Sequence, residues 1–84
     1  MRTANPALDT TISIEITLQS KRIGTKLKRL REARGFSQLQ LAKRSKVPQG
    51  YISELEAGHK TNPGLETLRK IANALGVPVV QLLE

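Results

Sequence analysis

Two periods divide the chain. Ile12, Ile14, Ile16 and Leu18 alternate with Ser13, Glu15 and Thr17, which is the two-residue period of a strand with one covered face. From Ser20 onward the spacing becomes helical: Ile23, Leu27 and Leu30 share a stripe, basic residues fill the other faces, and Gly35 ends the run as a C-cap glycine does. This predicts a first helix over 21–33. Ser37 with Gln40 three positions later reads as a capping box, each side chain satisfying a backbone N–H that the helix leaves without a partner, and it opens a second helix over 38–45. Pro48 suits the start of a third helix, because the N–H it lacks would have no intrahelical acceptor there. That helix runs from about Gln49 to Ala57 and stops at Gly58. Asn62-Pro63 reads as the cap and first-turn proline of a fourth, whose stripe of Leu65, Leu68, Ile71, Ala72 and Leu75 ends at Gly76. A last short helix begins at Pro78, with Val79, Leu82 and Leu83 inward and Val80 on another side as a candidate contact residue.

Five short helices with brief connections predict an all-α fold, a single compact domain over 21–84. Residues 1–20 form an N-terminal extension with a strand expected over 11–18. Such a strand must pair with its own copy, pack on the helices or stay loose. With 84 residues there is room for one modest core. The absence of cysteine removes disulfides and thiolate metal sites, and His59, the one histidine, has no second histidine for a zinc pair. No metal or cofactor is expected. No Ser, Cys or carboxylate constellation accompanies His59, so it reads as a solvent residue; no catalytic residue is identified, and the chain is not expected to be an enzyme. No run approaches the ~20 apolar residues of a membrane span, which makes the cytoplasm the expected compartment.

Charge sharpens the picture. The formal net charge is +7, and ten of the fourteen basic residues (Lys21, Arg22, Lys26, Lys28, Arg29, Arg31, Arg34, Lys43, Arg44, Lys46) lie between 21 and 46, where Glu32 is the one acid. A basic segment of this density either keeps a solvated surface soluble or meets a polyanion.

Helices 2 and 3 decide between these. Leu41-Ala42, a tight break at Ser45-Lys46-Val47, then Ile52 and Leu55 one turn apart give two helices crossing at a close angle. Ala42 is small where the next helix passes over it, and Leu41, Val47, Ile52 and Leu55 fill the angle. At about 100° per residue, Gln49, Gly50, Ser53, Glu54 and Ala57 share one face of helix 3, and Pro48, Tyr51, Ile52 and Leu55 the opposite one. One face is core and the other is free. Ser37-Gln38, Leu41-Ala42, Tyr51-Ile52-Ser53, Glu56-Ala57-Gly58, Asn62-Pro63 and the run from Leu68 to Leu75 together resemble the phage-repressor and Cro-type helix-turn-helix family, over roughly Ile23 to Leu83.

The resemblance implies a five-helix, lambda-repressor-like DNA-binding domain, a transcriptional repressor or autoregulator that acts as a homodimer on a near-palindromic operator in double-stranded DNA. It carries over residue by residue. Gln49 and Ser53 match base-reading positions, and the Gln49 amide is suited to a bidentate contact with adenine. Gly50, beside them, permits close approach, and Glu54 either accepts from a cytosine amine or repels phosphate at wrong sites. Gln38 resembles the family's phosphate-contacting and helix-anchoring glutamine, Tyr51 falls where the DNA backbone is touched, and Lys60 belongs to a loop that meets phosphates. Lys43, in the basic segment, joins them as a phosphate candidate. The family register sets Glu56 against Arg31 as a partly buried ion pair, with Arg34 the second choice. Two positions depart from the family. Lys46 stands where the turn usually carries glycine at positive φ, at a cost of ~1 kcal/mol. Pro48 stands close to the usual Ser or Thr cap.

Two other readings share the fold. One is an antitoxin that binds a toxin protein by β-addition to residues 10–19; the other is a restriction-modification controller.

Overall fold

The computed structural model describes the backbone of residues 6–60 and 63–83, and side chains from residue 19 onward within those spans. Five α-helices follow one another among the described residues: α1 (Pro6–Ala33), α2 (Gln38–Ser45), α3 (Gln49–Glu56), α4 (Leu65–Leu75) and α5 (Val80–Leu83). The core is one cluster. Leu27 of α1, Leu41 and Ala42 of α2, Val47 of the turn, Ile52 and Leu55 of α3, Leu68, Ile71, Ala72 and Leu75 of α4, and Leu82 of α5 are all buried. Ile23, Leu30, Phe36 and Tyr51 pack around it. These are the apolar stripes expected from the sequence with two corrections: Leu65, in the first turn of α4, and Leu83, at the end of α5, were expected inward and are exposed, since each stands at a helix end beyond the reach of the core.

The strand expected over 11–18 is corrected: these residues are part of α1, which begins at Pro6 instead of 21. A lone strand leaves its N–H and C=O groups without partners, whereas a helix satisfies them within the segment. The turns of α1 packed on the core also supply the nucleus, so each added residue costs only propagation. β-Branched Ile and Thr weaken a helix slightly and do not forbid it. The exposed strand edge on which β-addition at residues 10–19 depended is therefore absent.

The capping box at α2 is complete. Ser37 Oγ accepts from the Gln40 N–H at 3.0 Å, and Gln40 Oε1 accepts from the Ser37 N–H at 2.8 Å. Lys46 ends α2 in the left-handed region, with φ 61°. Ser45, buried beneath this turn, donates to the Ala42 carbonyl at 3.4 Å and accepts from the Val47 N–H at 3.3 Å. The turn thus keeps its shape without glycine. At α4 the expected cap moves: Gly64 is the N-cap, without a side-chain bond, and Pro63 stands outside the helix. Asn62 and Thr61 lie outside the described residues.

One feature of α1 was not expected from the sequence. Gly24 is buried mid-helix beneath the last turn of α3. A Cβ built there would overlap the Leu55 carbonyl oxygen and stand 3.0 Å from that of Glu56. Gly24 is what lets α1 and the end of α3 approach backbone to backbone.

Candidate nucleic-acid interface

α3 is short and held from one side. Ile52 and Leu55 are buried and Tyr51 is half-buried against the core, while Gln49, Gly50, Ser53, Glu54 and Ala57 are exposed. Pro48 is the N-cap and supplies no side-chain hydrogen bond. Nothing within 4 Å of Gly50 would meet a Cβ, so its place on the exposed face is open space in the free protein.

The support behind this face is polar. Arg31 of α1 grips Glu56 at the end of α3 with two bonds, Nε to Oε2 at 2.6 Å and Nη2 to Oε1 at 3.0 Å. Its third nitrogen, Nη1, donates to the Phe36 carbonyl at 2.7 Å. Gln38, the first residue of α2, donates its amide to Glu56 Oε1 at 3.0 Å. Three helices meet on one carboxylate. The Arg31 and Glu56 side chains are 11% and 5% exposed, so the pair is shielded from water and salt. The hydrogen bond that the guanidinium donates to Glu56 raises its pKa above the ordinary value, outweighing the desolvation that opposes it. Arg34, the alternative partner, instead donates from Nε to the Leu75 carbonyl at 2.9 Å, capping the C-terminal end of α4.

The remaining candidates are at the surface. Lys43 is exposed in the last turn of α2. Lys60 lies with Nζ 3.4 Å from Glu54 Oε1 and 4.6 Å above the centre of the Tyr51 ring. Exposed as they are, these contacts stabilise little, yet they gather Tyr51, Glu54 and Lys60 into one patch beside α3. Arg44 covers the Phe36 ring at 4.4 Å. His59 is exposed. Gln38 was expected to anchor helices as well as to touch phosphate, and the bond that commits one of its two amide hydrogens to Glu56 of α3 is such an anchor. The sequence carried one clue to the close approach behind α3: a glycine inside an otherwise regular helical pattern.

α2, the left-handed turn at Lys46 and α3 form a two-helix unit with one face free, and a family profile described as helix-turn-helix matches residues 27–82. The chain belongs to the helix-turn-helix family. Among helix-turn-helix relatives, the HTH-type transcriptional regulator SinR of Bacillus subtilis is 36% identical over 62 residues, covering 74% of this chain and 56% of SinR. The chain thus spans little more than half of that relative. Solved structures that share the helix-turn-helix fold include the following two. The restriction-modification controller protein C.AhdI from Aeromonas hydrophila matches with a TM-score of 0.72 and 33% identity, covering 75% of this chain and 94% of its own. SinR, a master regulator for biofilm formation whose structure is solved in complex with DNA, matches with a TM-score of 0.72 and 35% identity, covering 74% of this chain and 98% of its own. No helix among the described residues is long and apolar enough to cross a membrane.

Proposed function

We propose that this protein binds double-stranded DNA sequence-specifically as a transcriptional regulator, a repressor or autoregulator working in the cytoplasm on the nucleoid. The observation that carries the reading is the exposed polar face of α3 on a rigid support, in a chain whose relative SinR has been solved on DNA. Gln49, Ser53 and Glu54 read base edges in the major groove, and Gly50 on the same face permits the close approach. Gln38, through its second amide hydrogen, and Lys43, Tyr51 and Lys60 hold phosphates on either side. No enzymatic role is proposed.

A single unit of this kind reads few base pairs, so two copies are needed for useful specificity. α5 suits the two-fold contact: Val80 and Leu83 are 50% and 51% exposed on a helix otherwise fixed by buried Leu82. Helical residues 6–18 withdraw antiparallel strand pairing as a second contact, and with it the basis for toxin binding. The likeness to C.AhdI favours one variant of the reading, a controller of restriction-modification genes, which a neighbouring methyltransferase gene would identify.

In vitro selection from random duplexes followed by a footprint tests the proposal. The expected product is a near-palindrome with half-sites one helical turn apart, ~34 Å. Recovery of no preferred sequence would refute sequence-specific binding, and a single half-site bound at full affinity would refute the dimer.

A further inference from the structure

We propose that Lys28, on α1 outside the helix-turn-helix itself, is a DNA phosphate anchor; the inference rests on the DNA-binding reading above. An open cleft of about 310 Å³ lies between α1, α2 and α3, lined by Lys28, Arg31, Gln38, Ser53, Glu56 and Ala57. Its far rim, Ser53 and Ala57, is the exposed face of α3. Its floor is the network in which Arg31 and the Gln38 amide neutralise and occupy the Glu56 carboxylate. A carboxylate so engaged no longer repels an anion, and the charge left over at the cleft is that of Lys28. Lys28 is exposed, and among the described residues it enters no ion pair, not even with Glu32 one turn further along α1. A free cation on the rim opposite a base-reading helix is placed for the sugar-phosphate strand that borders the groove.

The basic residues of α1 are not equivalent in this respect. Lys21 stands two turns before Lys28 on the same face and packs toward the end of α3, where a Cβ on Gly58 would come within 3.0 Å of its Cγ. Arg22 and Lys26 lie on other faces of the helix, Arg22 beside a separate notch with Ile23 and Leu83, whereas Arg29 borders a second notch that it shares with Thr25, Lys28, Glu32 and Glu56, outside the cleft between α1, α2 and α3. Most of the charge of α1 therefore raises the general field, and the α3-facing edge makes the contact.

The test compares Lys28→Gln with Arg29→Gln, two exposed single-charge removals on adjacent residues, using the selected operator and a random duplex of the same length. The slope of log affinity against log salt should fall by about 0.9 for Lys28→Gln, the signature of one lost phosphate contact, and by clearly less for Arg29→Gln. Lys28→Gln should weaken operator and random duplex by the same factor, and Lys28→Arg should restore the slope. Equal slope changes in the two glutamine variants would reduce Lys28 to part of the general field and overturn the inference. An unchanged slope would do the same. Wild-type protein that binds no duplex in a salt-dependent way would overturn the DNA-binding reading and this inference together, so the two failures are distinguishable.

Discussion

Glu56→Ala tests how much of the fold hangs on one carboxylate. The substitution strips the acceptors from Arg31 Nε and Nη2 and from the Gln38 amide, and leaves Arg31 bound only through Nη1 to the Phe36 carbonyl. Breaking a buried pair by removing one partner costs about 3–5 kcal/mol, because the remaining charge is held away from water. Arg31 is 11% exposed and has a long stem, so it can turn partly outward, which puts the expected loss near the lower end, about 3 kcal/mol. A small domain has only about 5–8 kcal/mol in total, so the variant should lose roughly half of its stability.

Urea titration followed by helical circular dichroism measures this as a fall in midpoint at constant slope. Moderate salt should change the loss little, since the pair is shielded. The double variant Arg31→Met with Glu56→Leu provides the control: replacing both charges by apolar side chains of similar volume should bring stability back to within about 1 kcal/mol of wild type. The reasoning is refuted if Glu56→Ala costs less than about 1 kcal/mol, or if the double variant is as unstable as the two single changes added together.

Three further outcomes are expected. Gly24→Ala should destabilise by about 2 kcal/mol in thermal unfolding, because the overlap with the Leu55 carbonyl outweighs the ~1 kcal/mol that alanine gains in helix propensity; a raised melting temperature would contradict the close-approach account. Lys46→Gly should stabilise by up to about 1 kcal/mol, since φ 61° strains any residue with a Cβ, and a loss in the same urea assay would show that the lysine side chain contributes to the turn. Gln49→Ala should cost about 1–3 kcal/mol on the best operator and relax preference at one base pair, whereas equal losses on operator and random duplex would show that Gln49 reads no sequence.

What the sequence disclosed depended on how local the cause was. The capping box at Ser37 and Gln40, the core stripe of α4 from Leu68 to Leu75 and the free face of α3 each follow from residues within a turn or two of each other, and all three were legible, though the stripe was read one turn too early, from Leu65. The extension misleads because a period of two in Ile12, Ile14 and Ile16 is a statement about faces, and faces matter only when something covers them. Without a partner strand, backbone hydrogen bonding decided the outcome, and α1 simply continued. What Gly24 makes room for, and which group Gln38 anchors, were not legible for a different reason. Each depends on an element far along the chain, α3 in both cases, and no local pattern encodes the distance between two helix backbones.

These two non-local features bear on the same object. α3 is only eight residues long and has no side-chain N-cap, so its own hydrogen bonds give it little rigidity. Its apolar side fixes how deep it sits, through Ile52 and Leu55, but packing of two aliphatic residues leaves sliding and rolling about the helix axis poorly constrained. Gly24 limits one of these motions by bringing α1 against the carbonyls of Leu55 and Glu56. The two-pronged grip of Arg31 on Glu56 limits the other, since a bidentate guanidinium–carboxylate pair has a direction as well as a distance. Gln38 then ties the start of α2 to the same carboxylate, so the end of one helix proposed to meet phosphate and the side of the next proposed to meet bases are set by one group. A polar network suits this role because apolar packing tolerates small slips, while a hydrogen bond stretched by about 0.5 Å is weakened, and base reading demands placement on that scale.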